Sequence, residues 1–209
     1  EPLIGGSTAM SGRVLWLPNN PLMRDEGVPD SFDDAMEYFE SVVGAAGPAS
    51  SDARRRAYVS EGSNMVRFLQ ECGMRFLRCE GYSDYYEGMA GIRGGSARGR
   101  SIEPAVTDAN ELGPWANKLR PGISAALGIV VMTGESAKLQ LIKRSPDAIR
   151  TALRVARRSA GGRIKGEQRL ANGGALIAQT LKAALEREAS VWTETALAIS
   201  SPVDKFVET

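Results

Sequence analysis

Tyr82, Tyr85 and Tyr86 are the side chains in this sequence best suited by type and spacing to move a proton. The chain has no histidine, so the commonest general base and the commonest metal ligand are both missing. Proton transfer then falls to tyrosine, carboxylate, lysine or a cofactor. A phenol has a pKa of about 10 and is a poor base at neutral pH. A second phenol that donates a hydrogen bond to the phenolate eases its ionisation. The same three tyrosines also read as amphipathic rings packed at the edge of a core. Cys72 and Cys79 are the only cysteines, and without histidine they cannot complete a zinc site. No metal is expected, and the two thiols fit a reduced, cytoplasmic setting.

A second candidate is the run Gly5-Gly6-Ser7-Thr8-Ala9-Met10-Ser11-Gly12, which leads through Arg13 into Val14-Leu15-Trp16-Leu17-Pro18-Asn19-Asn20. Small residues let a backbone approach a flat ring or a pyrophosphate closely. The hydroxyls of Ser7, Thr8 and Ser11 can bond phosphate or ring oxygens. On composition alone the run also reads as an ordinary surface loop. Arg98 and Arg100 stand among Gly94, Gly95 and Gly99, which predicts a bent loop bracing the approach to a site. Between residues 143 and 169 nine Lys or Arg oppose only Asp147 and Glu167, and Arg150, Arg154, Arg157 and Arg158 recur at helical spacing. No aromatic residue interleaves with them, so a solvated face is expected rather than a nucleic-acid interface.

These residues must be positioned by a chain of 209 residues, 43% apolar and 24% charged, with a formal charge of +1. That composition suits a soluble globular protein of one or two domains and gives no strong global field. No stretch approaches the roughly 20 apolar residues of a spanning helix, and the start lacks a signal-peptide pattern. Residues 1–29 read as loop. Ser31 predicts a helix cap with Asp34 as its capping partner, followed by an apolar stripe of Phe32, Ala35, Met36, Phe39, Val42 and Val43 and a stop at Gly44. A second helix is predicted over 52–71 with Tyr58, Met65, Val66 and Leu69 inward, although Gly62 weakens its middle. Residues 74–79 suit a strand. Residues 81–104 show no period and read as a long loop, and 121–134 are apolar without a clean period. Helices are expected over 146–159 and 174–188, the latter with Leu176, Ile177, Leu181, Ala184 and Leu185 on one side. Strands are expected over 190–195 and from Val203 onward. The first residue is not methionine and a strand is only beginning at the end, which leads to the expectation of a fragment.

The run from Gly5 to Gly12, continued through Val14 to Asn20, resembles the flavin-contacting stretch of FAD-dependent 3-oxosteroid dehydrogenases, within the fumarate reductase and succinate dehydrogenase flavoprotein group. Further segments agree in order: Gly27-Val28-Pro29-Asp30-Ser31, Tyr82-Ser83-Asp84-Tyr85-Tyr86, residues 94–104, Asn172-Gly173-Gly174-Ala175-Leu176-Ile177 and Ser201-Pro202-Val203. The resemblance covers nearly the whole chain and favours the 3-oxosteroid 1-dehydrogenase type.

It implies an α/β protein with an incomplete Rossmann-type FAD-binding domain and part of a substrate domain. Residues 1–29 would be a remnant of the FAD domain, 30–170 substrate-side helices and loops, and 171–209 the return to the FAD domain. The dinucleotide fingerprint is expected upstream of Glu1, so the chain alone is expected to bind FAD weakly and to be inactive. By resemblance, Gly6, Ser7, Thr8, Ser11 and Gly12 line the flavin and its phosphates, and Val203 meets the adenine through its backbone. Arg13 departs from the small residue usual at its place. Tyr85 matches a helper of another tyrosine, the base, which is expected beyond residue 209, and Tyr82 offers a wall to the steroid rings. The family reaction removes a proton from C2 and a hydride from C1 of a 3-oxosteroid, the hydride going to flavin. A 4,5-desaturation, a fumarate-type reduction and a non-catalytic basic binding domain are the alternatives. The resemblance does not identify the electron acceptor.

Overall fold

The computed structural model describes residues 1–12, 14–122 and 128–195. The expectations for Arg13 and Val203 fall outside them. The segment expected to be loop holds three short elements, α1 (Gly6–Ala9), β1 (Leu15–Trp16) and α2 (Pro21–Asp25). Asn20 starts the last of these: its Oδ1 accepts the Met23 amide at 3.1 Å, and Pro21 takes the first helical position, where no amide is needed. The cap at Ser31 forms as expected. Its Oγ accepts the Asp34 amide at 3.0 Å and opens α3 (Phe32–Val42), which stops where Gly44 turns to φ 53°.

Helix α4 (Asp52–Glu71) has the expected span, and Val66 and Leu69 turn inward as expected, but the rest of the inward face differs. Val59, Gly62, Ser63 and Val66 are buried, whereas Tyr58 and Met65 are exposed. Small residues face inward because the helix lies directly on the segment after β1. A Cβ on Gly62 would stand 3.0 Å from Leu17 Cδ2, and Ser63 Oγ donates to the Asn19 carbonyl at 2.6 Å.

Strand β2 (Phe76–Arg78) falls in the expected place, but residues 81–104 are not loop throughout. They end in β3 (Ser101–Pro104), a buried strand that pairs antiparallel with β1 on one side and β2 on the other. A second antiparallel pair joins β4 (Thr107–Asp108) to β5 (Arg169–Leu170). Between them lie a kinked 3-10 run, Ala109–Lys118, and helices α5 (Thr133–Leu139) and α6 (Pro146–Ile164). Helix α6 continues past residue 159 because Gly161 and Gly162 stay helical, with the Arg169 side chain against Gly162. Helix α7 (Asn172–Leu185) follows. The strand expected over 190–195 does not form. Glu188 and Glu194 adopt φ 57°, which breaks an extended run, and Trp192 is left exposed.

Leu17, Leu22, Val66, Met74, Phe76, Ile102 and Ala183 form the main core, where α2, α4 and α7 meet the three-stranded sheet. A smaller cluster of Leu112, Ala178 and Leu181 secures the 3-10 run against α7. The result is a mixed α/β fold in which β1 leads from α1 into the sheet. No helix among the described residues is long and apolar enough to cross a membrane.

Candidate active site

Burying an arginine is costly unless its charge is paired and its donors are satisfied. Arg100, just before β3, is 1% exposed, and its guanidinium reaches two carboxylates. It bonds Asp30 through Nε and NH2, the shortest contact being 2.6 Å, and Asp84 Oδ2 through NH1 at 2.9 Å. The second oxygen of Asp84 accepts the Trp16 indole N–H at 2.6 Å, and Oδ2 also accepts the Ser96 amide at 3.0 Å. Asp30 accepts the Asn19 amide at 2.7 Å, and Asn20 donates to the Arg100 carbonyl at 3.1 Å. Segments far apart in sequence, around residues 16–20, 30, 84 and 96–100, are thereby tied at one charged centre. This gives the bracing expected of the glycine-rich loop a definite form through Arg100.

Beside that centre lies an apolar cavity of about 290 Å³. Trp16, Tyr38 and Phe39 form one side, with Val14, Val42 and Val43 extending it. The predicted apolar stripe of α3 is therefore in part a cavity wall. Trp16 meets Phe39 edge-on at 5.2 Å between ring centroids, and Tyr38 at 5.7 Å. The opposite side is the turn Tyr82 to Tyr86. Tyr85 is 82% exposed and stands at the rim. Its hydroxyl lies 3.1 Å from that of Tyr82, with the rings edge to face. Either hydroxyl can be the donor in this pair. The bond to Tyr85, then burial, pushes the pKa of Tyr82 up to about 12, so it holds its proton. Tyr38 is also pushed up, chiefly by burial, and its oxygen accepts the Tyr86 amide at 3.3 Å.

The glycine-serine run has one packed side and one open side. A Cβ on Gly173 would lie 2.0 Å from the Thr8 carbonyl oxygen, and one on Gly122 would lie 2.7 Å from that of Ala9. Only glycine allows α7 to begin so close to α1. The Gly173 amide donates to the Ser11 carbonyl at 3.1 Å, and Thr133 Oγ1 donates to that of Gly12 at 2.9 Å. On the other side Ser7 and Gly12 are exposed, and Gly6, at φ 48°, has nothing within 4 Å of where a Cβ would sit. An open, side-chain-poor face backed by rigid packing fits the close approach of a flat ring system and its phosphates. Val14, two residues beyond Gly12, already lines the tyrosine cavity, so the two features adjoin.

Residues 1–198 match the family model described as FAD binding domain. The chain belongs to that family. Among its relatives, 3-oxosteroid 1-dehydrogenase from Mycolicibacterium smegmatis is 35% identical over 99% of this chain and 35% of its own length. The protein of the same name from Mycobacterium tuberculosis strain H37Rv is 34% identical over 84% of this chain and 31% of its own. A 4-oxocyclohexanecarboxylate 2-dehydrogenase from Sinomonas cyclohexanicum is 36% identical over 56% of this chain and 20% of its own. The crystal structure of 3-ketosteroid delta1-dehydrogenase from Sterolibacterium denitrificans, in complex with 1,4-androstadiene-3,17-dione, superposes with a TM-score of 0.76 at 28% identity. That match covers 92% of this chain and 34% of the other. The chain thus spans about a third of the length of the first of these relatives.

Sequence reasoning singled out Tyr82, Tyr85 and the run Gly6, Ser7, Thr8, Ser11 and Gly12, which the structure places in two adjoining features. It missed Trp16, Tyr38 and Asp84. Trp16 stood only as one residue of the stretch from Val14 to Asn20 that carries the family resemblance, and Tyr38 falls off the predicted stripe of α3. Asp84 offered one signal, a carboxylate flanked by tyrosines. Of the cationic run, Arg158 bonds Glu135 and the Val130 carbonyl, and Arg163 bonds the Gly128 carbonyl, while Arg150, Arg154 and Arg157 face solvent.

Proposed function

We propose that this chain supplies the flavin-facing loop and one wall of the substrate cavity of an FAD-dependent dehydrogenase acting on a neutral ring ketone. The substrate is a 3-oxosteroid and the reaction is 1,2-desaturation. The observation that carries this reading is the hydrogen-bonded Tyr82–Tyr85 pair at the rim of an apolar, aromatic cavity beside the glycine-serine run. Names of the relatives add chemical support. In both "3-oxosteroid 1-dehydrogenase" and "4-oxocyclohexanecarboxylate 2-dehydrogenase" the desaturated position is two carbons from the ring carbonyl. A bond formed there is conjugated with the ketone. Its formation needs a base for the acidic proton beside the carbonyl and an acceptor for a hydride from the next carbon.

FAD, when bound, supplies the hydride acceptor. In this reading Gly6, Ser7, Thr8, Ser11 and Gly12 would hold its ring and phosphates. In this reading residues 1–29 and 171–209 serve the FAD domain and 30–170 the substrate side. Tyr82 donates to Tyr85, which leaves the Tyr85 proton free to be donated onward to a basic phenolate. Linked hydrogen bonds polarise one another, so the pair strengthens that donation. Trp16, Phe39 and Val42 offer an apolar surface to fused rings and exclude water from it.

The named alternatives differ in charge or position. A carboxylate substrate, as in fumarate-type reduction or the cyclohexane acid, needs a cation, and no Lys or Arg is among the described cavity residues. A 4,5-desaturation would use the other flank of the ketone. The test mixes the FAD-loaded full-length protein anaerobically with a 3-oxosteroid or with 4-oxocyclohexanecarboxylate. Flavin absorbance is followed, and the product double bond is located by NMR. Bleaching with the steroid and a 1-ene product are expected; no bleaching by either ketone overturns the proposal.

A further inference from the structure

Tyr82 and Tyr85 sit on a turn that has little packing of its own. Ser83, Tyr85 and Tyr86 are exposed, and Tyr82 is only part-buried. Asp84 is the exception. It is 4% exposed and points away from its neighbours into the charged centre. There it accepts from Arg100 at 2.9 Å, from the Trp16 indole at 2.6 Å and from the Ser96 amide at 3.0 Å. The three donors come from β1, from the residue before β3 and from the glycine-rich loop. They approach the carboxylate from different elements, so both its position and its rotation are fixed. Charge-assisted bonds of this kind are short and directional. The residues on either side of Asp84 inherit that orientation through a rigid backbone.

We propose that Asp84 is a positioning residue: its carboxylate, clamped by Arg100, Trp16 and the Ser96 amide, sets the turn so that the Tyr82 and Tyr85 hydroxyls meet at the cavity rim. This rests on the proposed function for its purpose, but not for its test. Asp30 supplies the control. It pairs with the same arginine more extensively than Asp84 does, yet it touches neither tyrosine nor the turn between them. A purely structural role for the centre makes Asp30 and Asp84 equivalent, whereas a positioning role separates them. Trp16 also acts in both directions, since it lines the cavity and reports on Asp84 through its indole N–H.

The experiment uses the 209-residue chain with 15N-labelled tryptophan and ring-labelled tyrosine, and needs neither flavin nor steroid. Trp16 is assigned by Trp16→Phe, and the two rings by Tyr82→Phe and Tyr85→Phe. Ring-to-ring contacts between Tyr82 and Tyr85 are expected in the parent and in Asp30→Asn. In Asp84→Asn they are expected to be lost, and the Trp16 indole proton moves upfield as its charged acceptor disappears. Both Asn variants are expected to unfold at lower temperature than the parent. If Asp84→Asn does not fold, Asp84→Glu keeps a charge for Arg100 but displaces it by one methylene, and a weakened ring contact is expected. Ring contacts of parental intensity in a folded Asp84 variant overturn the proposal, as does their equal loss in Asp30→Asn. Failure of the dehydrogenase reading would instead appear as absent flavin bleaching, with these contacts unaffected.

Discussion

Tyr82 is held protonated by its hydrogen bond to Tyr85 and by burial, and this has a measurable consequence at the level of one residue. The folded pKa of Tyr82 is raised to about 12, first by that bond and then by burial, from an ordinary phenol value of about 10. A raised pKa means the folded state holds the proton more tightly than the unfolded chain does. The bond therefore contributes fully below pH of about 10 and is lost as pH rises toward about 12. Tyr85→Phe removes the partner hydroxyl, and because Tyr85 is 82% exposed, little packing is lost with it. Ultraviolet difference titration should show the Tyr82 phenol, identified by its disappearance in Tyr82→Phe, moving down toward the ordinary value in Tyr85→Phe. An unchanged Tyr82 titration in Tyr85→Phe would mean that the hydroxyls do not interact. Under the proposed function, the same substitution in the FAD-loaded protein should slow steroid turnover by about 10²-fold or more, within the range typical of acid–base assistance, while steroid affinity moves less.

Local chemistry decided which elements could be read from sequence. Ser31 and Ser51 cap α3 and α4 through amides three residues on, and such a cap depends on nothing distant. Strand β3 was hidden because its burial is a long-range matter. Glu103 looks like a surface residue, but it accepts the Thr133 and Gly134 amides at 2.7 and 2.9 Å and so caps α5 across thirty residues of chain. The inward face of α4 was misread at Tyr58 and Met65 for a related reason. Tyr58 and Met65 are larger, but contact with Leu17 selects the small side of the helix. Two helical glycines give this argument opposite signs. Gly161→Ala in α6 meets nothing within 4 Å, so it should stabilise the protein by about 0.4–1 kcal/mol through a less flexible unfolded chain. Gly173→Ala in α7 drives a methyl into the Thr8 carbonyl. It should cost about 1–3 kcal/mol as an overpacked contact and weaken FAD binding by the full-length protein, because α1 must shift. Urea midpoints and a flavin titration check both, and equal effects of the two substitutions would remove the close-packing account.

At the scale of the whole molecule, four of the segments that carried the family resemblance converge on Arg100. The stretch after Val14, the Asp30 segment, the tyrosine turn and the glycine-rich loop are separate in sequence, and no periodicity links them. Order along the chain was legible, but the buried arginine that gathers them was visible only as one arginine among glycines. Its consequence is a stability held at one point. Arg100→Leu would leave Asp30 and Asp84 buried without their counter-charge, and removing one member of a buried ion cluster typically costs about 3–5 kcal/mol. For a chain of this size that is a fall in melting temperature on the order of 10 °C. Arg100→Lys should recover only part of it, because an ammonium cannot reproduce the fork that reaches both carboxylates. The pair Lys182–Glu111 provides the contrast. Both side chains are about 40–45% exposed, and Lys182→Met should change stability by less than about 1 kcal/mol, since solvent screens such a pair. Thermal unfolding followed by circular dichroism distinguishes the two sites. If Arg100→Leu melts within a few degrees of the parent, the charged centre is not what holds these segments together, and the cavity wall must be ordered by its aromatic packing alone.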